Sequence, residues 1–366
     1  MEAPITIKTP GKLMIAGEFA VLEPYHQLIV IAVDRFLYTT IRDSKVNEVN
    51  IENYKLFHQR FHFDGTDVKF EKEGRAVRFV KSALTTTLTY LREKSITITP
   101  FALTINSELD DKTTGQKYGL GSSAAVVTSV VTAVLTKFLN EKPKKDIIFK
   151  LAAIAHTQTQ GSGSGADIAA STYGGVLKYA SFQAGWLLEQ LEKTDRISRF
   201  VERKWTYLTI QPVQFPPSLH LCVGWTGKPA STKSLVSEIR KLKKENSVQY
   251  YEQFLEKSKR AVRMIVEGME KNDVDIFFQG IEQNRKALRE IGEHANVEIE
   301  TKKLYILSKE AERLGGVGKL SGAGGGDCGI AFVPSREVSL QLQKRWQEKG
   351  IIPLNIQVYE NGAERI

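Results

Sequence analysis

Apolar and polar positions alternate in two ways along this chain. Up to about residue 100 most short apolar runs have strand length. Residues 28–33 (LIVIAV) form one such run, and 36–41 are rich in β-formers. Residues 77–91 predict a helix crowded with threonine, and 101–105 predict another strand. Residues 124–139 (AAVVTSVVTAVLTKFL) are apolar nearly all round, which predicts a buried helix. Ser122 or Ser123 is its expected N-cap. Residues 146–160 predict a helix with Ile147, Ile148, Leu151 and Ile154 on one face. A short helix over 166–171 follows, then the break Gly174-Gly175 and a strand over 176–180.

The second half changes character. A strand over 219–225 precedes amphipathic stretches near 231–245, 248–270, 274–291 and 298–314. An apolar strand at 330–333, a final helix and a strand over 351–358 complete the pattern. The charged stretch EQLEKTDR marks a boundary region at 185–205, so domains of 1–190 and 191–366 are expected. No internal repeat or low-complexity tail is present.

With 42% hydrophobic and 25% charged residues, the 366-residue chain has a globular balance rather than a disordered one. The formal net charge is +9. Its densest cluster, at 240–245, looks like a solvated helix end, so no nucleic-acid partner is expected. A diffuse positive field suits anionic small molecules. The two cysteines, Cys222 and Cys328, form no zinc-type set and suggest reduced thiols in a cytoplasmic protein. The start has no apolar signal core and no run is long enough to span a bilayer, so no membrane partner is expected. The six histidines show no metal-binding spacing, and His58 and His62 read as a solvated loop.

Three glycine-rich segments carry the candidate chemistry. The first runs from Pro10-Gly11-Lys12 to Gly17-Glu18, the second is GLGSSAA at 119–125, and the third is SGAGGGDCG at 321–329. The second is not a Walker loop, since no Gly-Lys-Ser/Thr ends it. It still offers backbone donors, hydroxyls and a helix N-terminus, which together make an anion site. Lys12 is a point-charge partner for phosphate, and Lys8 and Lys117 lie near the same segments. Asp167 suits either Mg²⁺ binding and nucleophile orientation or the dipole of the helix it opens. Glu18 is either a functional acid or a structural hydrogen-bond partner. The third segment is either a sharp turn or a backbone cradle for a second anion. Cys328 opens an apolar strand and reads as a packed small hydrophobe.

Together these segments resemble the three motifs of the GHMP kinases, named for galactokinase, homoserine kinase, mevalonate kinase and phosphomevalonate kinase. The resemblance spans Lys8 to about Phe332. Within the family the chain is most similar to bacterial phosphomevalonate kinases. Phe19 stands where mevalonate kinases usually have His, Lys117-Tyr118 precede the phosphate loop, and Asp327-Cys328 follow the third glycine run.

The resemblance implies an α+β fold of two domains, the first like ribosomal protein S5 domain 2 and the second ferredoxin-like, with the active site in the cleft between them. It implies ATP phosphates at Gly119, Leu120, Gly121, Ser122, Ser123 and Ala124, with Mg²⁺ near Ser123 and Asp167. Lys12 and Asp167 match the family's catalytic pair, with Lys117 beside them. Lys8, Glu18, Ser164, Ser321, Gly322, Ala323, Gly324 and Gly325 fall on the substrate side. The expected reaction is ATP-dependent phosphorylation of phosphomevalonate. A hydroxyl acceptor, as in mevalonate kinase, is the alternative within enzymes, and a ligand sensor on the same fold is the alternative outside them.

Overall fold

The computed structural model describes residues 3–111, 115–229, 232–243 and 247–366. The chain begins with two long antiparallel strands, β1 (Ile5–Ala16) and β2 (Gln27–Asp43). The two runs expected at 28–33 and 36–41 are thus one strand, because Asp34 and Arg35 continue the extended backbone between them. Strands β3 (Glu48–Ile51), β4 (Leu56–Phe63) and β5 (Val68–Phe70) follow. His58 and His62 therefore lie on a strand and not in a loop, and both are exposed. Next come α1 (Arg78–Glu93), β6 (Phe101–Ser107), α2 (Ser122–Phe138), α3 (Lys145–Gln160), α4 (Ala166–Tyr173) and β7 (Val176–Ala180). Helices α5 (Ala184–Glu192) and α6 (Ile197–Glu202) lead to β8 (Thr209–Val213).

The rest of the chain is β9 (His220–Trp225), α7 (Thr232–Lys241), α8 (Val248–Lys271), α9 (Val274–His294), α10 (Lys302–Glu312), β10 (Val317–Leu320), β11 (Cys328–Val333), α11 (Arg336–Glu348), β12 (Ile352–Leu354) and β13 (Glu364–Arg365). The expected stretch 231–245 is helical over α7, and its outer residues 231, 244 and 245 lie outside the described residues.

Two sheets result. A nine-stranded sheet contains β1–β8 and β13. The other is antiparallel, in the order β10-β11-β9-β12. Numbered from β9, that is 4-1-3-2 read backwards, the order of a ferredoxin-like unit. Its crossovers are helical, as that unit requires: α7 to α10 between β9 and β10, and α11 between β11 and β12. The strand expected over 351–358 shortens to β12 because the chain then crosses back to the first sheet. There Gln357 N donates to Asp34 Oδ1 at 2.7 Å and β13 pairs with β1 at Ile7 and Lys8. Strand β8 pairs with β7 in the first sheet although it follows the expected 190/191 division.

The core explains the apolar runs. Helix α2 buries Val127, Val130, Val131, Val134 and Leu135 against α1, α3 and the faces of β1 and β2. Burying a side chain of this size contributes about 1.5–3 kcal/mol. Phe19, Ile299 and Leu320 share a smaller cluster with Leu288 of α9, so residues after β1 are packed against the second sheet's helices. Among the described residues, no helix is long and apolar enough to cross a membrane.

Candidate active site

Lys12 lies on β1 just past a register shift between Pro10 and Gly11. Such an irregularity re-aims the side chains that follow it. Lys12 is buried, its backbone N–H donates to the Leu120 carbonyl at 2.9 Å, and its ammonium donates to the Gly119 carbonyl at 2.8 Å. Strand and loop are thus fastened together at the lysine itself.

The loop turns through two glycines with φ near +83°, at 119 and 121. A side chain at Gly121 would lie 3.1 Å from Lys12 Cγ and 3.5 Å from Asp167 Cβ. This one point therefore joins the first segment, the second segment and the start of α4. Gly121, not Ser122 or Ser123, is the N-cap of α2, and no side chain caps the helix. Its left-handed φ is one that glycine adopts without strain. The first backbone bond of α2 runs from Ala125 N to the Gly121 carbonyl. The amides of Ser122, Ser123 and Ala124 therefore precede it and have no acceptor within the helix. With both serine hydroxyls left off the cap, the loop keeps polar groups at the positive end of a 17-residue helix.

Each hydroxyl has its own partner. Ser122 Oγ donates to Asp110 Oδ1 at 3.0 Å. Burial raises the Asp110 carboxyl above its ordinary value, opposed by the Ser122 bond and the charge of Lys117. Ser123 Oγ lies 3.1 Å from Nε2 of His156 on α3. Burial pulls that imidazole below the ordinary histidine value, and the Asp167 carboxylate pulls the other way. The ring is stacked on Phe79 of α1. His156 is the site neighbour that the sequence did not reveal. A lone histidine on an apolar helix face carries no spacing signal.

The third segment closes the far side. A side chain at Gly119 would meet the Asp327 carboxyl at 2.7–2.8 Å, so the acid after the glycines abuts the phosphate loop. Cys328 is buried as expected and its thiol donates to the Tyr118 carbonyl at 3.1 Å. Ser321 Oγ accepts from Met14 N at 2.9 Å. Several amides of the segment are already engaged: Ser321 N with the Cys328 carbonyl, Gly325 N with the Ile299 carbonyl and Asp327 N with the Lys228 carbonyl. Gly322 N lies 3.4 Å from Glu18 Oε1. As an anion cradle this segment therefore offers fewer donors than its glycine content suggests. Ala323 is half-buried beside Gly324.

The remaining candidates separate. Lys117 is exposed two residues before the loop. Ser164 lies just before α4, its hydroxyl accepting from Ala166 N at 3.3 Å and its carbonyl from Tyr179 Oη at 2.5 Å. Lys8 is engaged elsewhere. Its ammonium sits over the rings of Phe36 and Tyr359 and 3.7 Å from Glu364, none of which belongs to the three segments. Glu18 is buried in an ion pair with Lys319.

Ser123 and Asp167 suit Mg²⁺ by the chemistry of their donors: one hydroxyl, one carboxylate and a neighbouring anion loop. Mg²⁺ retains several waters and is held by one or two protein oxygens plus substrate phosphates. Among the described residues no group of three or more His, Cys, Asp or Glu forms a denser metal cage. A hollow of about 510 Å³ on α9 and α10 is lined by Glu282, Arg285, Lys286, Arg289, Glu290, Glu293, Lys309 and Glu312. It contains no residue of the three segments and balances its charges internally, so the motif cluster is the candidate site.

Comparison with known proteins agrees with this geometry. Residues 78–175 match the GHMP kinases N terminal domain and residues 265–352 match the GHMP kinases C terminal model. The phosphomevalonate kinase of Streptomyces sp. (strain CL190) is 34% identical over 359 residues, covering 94% of each chain. The crystal structure of the Lin0012 protein from Listeria innocua superposes with a TM-score of 0.93 at 36% identity, covering 100% of this chain and 99% of that one. Streptococcus pneumoniae phosphomevalonate kinase in complex with phosphomevalonate and AMPPNP superposes with a TM-score of 0.83 at 27% identity, covering 99% of each. With both family domains in order, and a relative this similar along nearly its whole length, the chain belongs to the GHMP kinases.

Proposed function

We propose that this chain transfers the γ-phosphoryl group of ATP to (R)-5-phosphomevalonate, yielding 5-diphosphomevalonate and ADP. The observation that carries this reading is the meeting of Lys12, Gly121 and Asp167 at one point beneath a helix N-terminus. The likeness to phosphomevalonate kinases supplies the acceptor.

Phosphoryl transfer asks a protein for alignment and charge stabilisation more than for covalent chemistry. The amides of Ser122–Ala124 hold the nucleotide phosphates. Lys12, anchored by the Gly119 carbonyl, holds its charge where the transferring group passes. Lys117 approaches from the solvent side, and Ser164 with the 321–325 segment faces the acceptor. Ser123 and Asp167 would hold Mg²⁺, which would supply charge to neutralise the nucleotide phosphates. The acceptor phosphate has a second pKa of about 6 and is mostly dianionic near neutral pH. It needs no proton removed, so Asp167 organises the site rather than acting as a base. The division into an ATP-binding domain of 1–190 and a second domain of 191–366 belongs to this reading, with β8 and β13 contributed to the first sheet.

A coupled ADP-release assay with phosphomevalonate, mevalonate and homoserine tests the proposal. Turnover is expected with phosphomevalonate alone. Preferential turnover of mevalonate overturns the acceptor assignment, and tight nucleotide binding without any turnover points to a sensor.

A further inference from the structure

Glu18 and Lys319 face each other across 2.5 Å with side chains 1% and 0% exposed. Glu18 follows Gly17 at the end of the first segment, and Lys319 lies on β10, two residues before the third. Two further bonds lie beside this one: Ser321 Oγ accepts from Met14 N at 2.9 Å, and Gly322 N approaches Glu18 Oε1 at 3.4 Å. The 14–18 and 319–322 stretches are therefore joined at three points centred on the buried charges.

The chain of charges continues behind Lys319. Burial lowers its ammonium below the ordinary lysine value, while Glu18 and then Glu300 oppose that shift. Glu300 accepts from Arg285 Nε at 2.5 Å, and Arg285 Nη1 donates to Glu312 at 2.5 Å. The residue before Glu300, Ile299, offers the carbonyl on which Gly325 N rests at 2.8 Å. The alternating charges thus run behind both ends of the third glycine segment.

Stability alone does not account for the pair. Glu18 Oε2 is buried with no hydrogen-bond partner, so the desolvated carboxylate is only half satisfied. An apolar pair of similar volume is often as stable or more stable. What the ion pair adds is a fixed register between the turn that follows β1 and strand β10 of the other sheet.

We infer that Lys319 is a positioning residue: paired with Glu18, it holds the Ser321–Gly325 segment in register with the strand that carries Lys12, and so sets the acceptor side of the site. This rests on the phosphomevalonate reading for its kinetic test but not for its structural one. Both carboxylate oxygens of Glu18 are buried, so its part is to hold Lys319 and not to touch substrate.

The experiment compares the full chain with Lys319→Met, Glu18→Gln and the double variant. Each single change leaves one buried charge or one polar group without its counter-charge, and each is expected to lower the melting temperature. The double variant removes both charges and is expected to regain most of that loss. It is nevertheless expected to keep kcat/KM for phosphomevalonate down by about 30- to 100-fold, the scale of an ångström-sized misplacement. Its affinity for ADP, measured by titration calorimetry, stays within about twofold of wild type, because the 119–124 loop is not displaced. Recovery of both melting temperature and acceptor kcat/KM in the double variant overturns the inference and leaves the pair a stability element. Amide hydrogen exchange at Met14 and Gly322 reads the same register without turnover. Faster exchange in the double variant is expected, and unchanged exchange overturns the inference. Should wild type fail to phosphorylate phosphomevalonate, the exchange measurement still decides this point separately.

Discussion

The Ser123 hydroxyl and His156 Nε2 meet at 3.1 Å inside the wall of the candidate site. In the proposed reading Ser123 offers Mg²⁺ its hydroxyl, and the imidazole fixes which way that hydroxyl points. His156→Leu removes that bond while keeping an apolar filler against Phe79. The expected result is a fall of about tenfold in kcat/KM for ATP, equivalent to about 1.4 kcal/mol, with more Mg²⁺ required for half-maximal rate. His156→Gln, which returns a polar atom near the Nε2 position, recovers part of the loss. A Mg²⁺ dependence unchanged in His156→Leu would show that the ring only packs.

Gly119 and Asp327 give a second test because their contact is steric and reciprocal. A Cβ at 119 would lie 2.7–2.8 Å from the Asp327 carboxyl, and alanine would have to hold φ +83°. The backbone part alone costs about 1–2 kcal/mol. Gly119→Ala is therefore expected to raise KM for ATP and lower the melting temperature. Asp327→Gly removes the obstructing carboxyl and relieves a residue that itself sits at φ +52°. The double variant Gly119→Ala/Asp327→Gly should recover melting temperature relative to Gly119→Ala. If it is no more stable than the single variant, the clash is not what limits position 119.

Much of this arrangement was legible in residue order because its parts repeat local signals. The apolar run of α2, the break at Gly174-Gly175 and the strand Val176–Ala180 were visible as patterns. Lys12, Ser123 and Asp167 drew notice because each sits in a glycine-rich segment, and the fold brings Lys12 and Asp167 to Gly121, two residues before Ser123. Lys8 was drawn toward the site only by nearness in sequence. The register shift after Pro10 and the tail residues Tyr359 and Glu364 separate it from Lys12. Lys319 was unreadable for a different reason. A lysine between Gly318 and Leu320 looks solvated until a partner more than 300 positions away is brought to 2.5 Å. The N-cap was misassigned because serine is favoured there in general. Here the backbone turn requires positive φ, and the hydroxyls are used elsewhere.

Asp110 supplies a pH test with a defined sign. Burial raises its carboxyl above the ordinary aspartate value, so folding favours the protonated form more than the unfolded chain does. For an acid raised on folding, the stabilising contribution is complete below the unfolded pKa and is lost as pH rises through the folded one. Ionising Asp110 in the folded chain therefore places a partly desolvated charge there. Asp110→Asn keeps an acceptor for Ser122 and removes that charge. It is expected to raise the melting temperature at pH 7, with the gain shrinking as pH falls toward 4. A gain that is constant across this range, or a loss at pH 7, would contradict the assignment.

The cysteines make the last prediction. Cys222 is 2% exposed, its thiol donates to Ser339 Oγ, and burial pushes its pKa up to about 11. At pH 8 such a group is thiolate in only about one molecule in a thousand, and the thiolate is the reactive form. Burial and the neighbouring Asp327 push Cys328 higher still. A thiol-reactive disulfide reagent should therefore leave the native protein unlabelled on a timescale of minutes and titrate two thiols after unfolding. The two sites should also differ in their response to nucleotide. The Cys328 thiol is bonded to the Tyr118 carbonyl at the entrance of the phosphate loop, so any local opening that exposes it also breaks the loop. Bound nucleotide suppresses such openings by mass action. ATP should slow labelling of Cys328 more than labelling of Cys222, which lies on β9 packed against α11. Equal protection at both would mean that the thiols react only through global unfolding, and the link between Cys328 and the loop would carry no local opening.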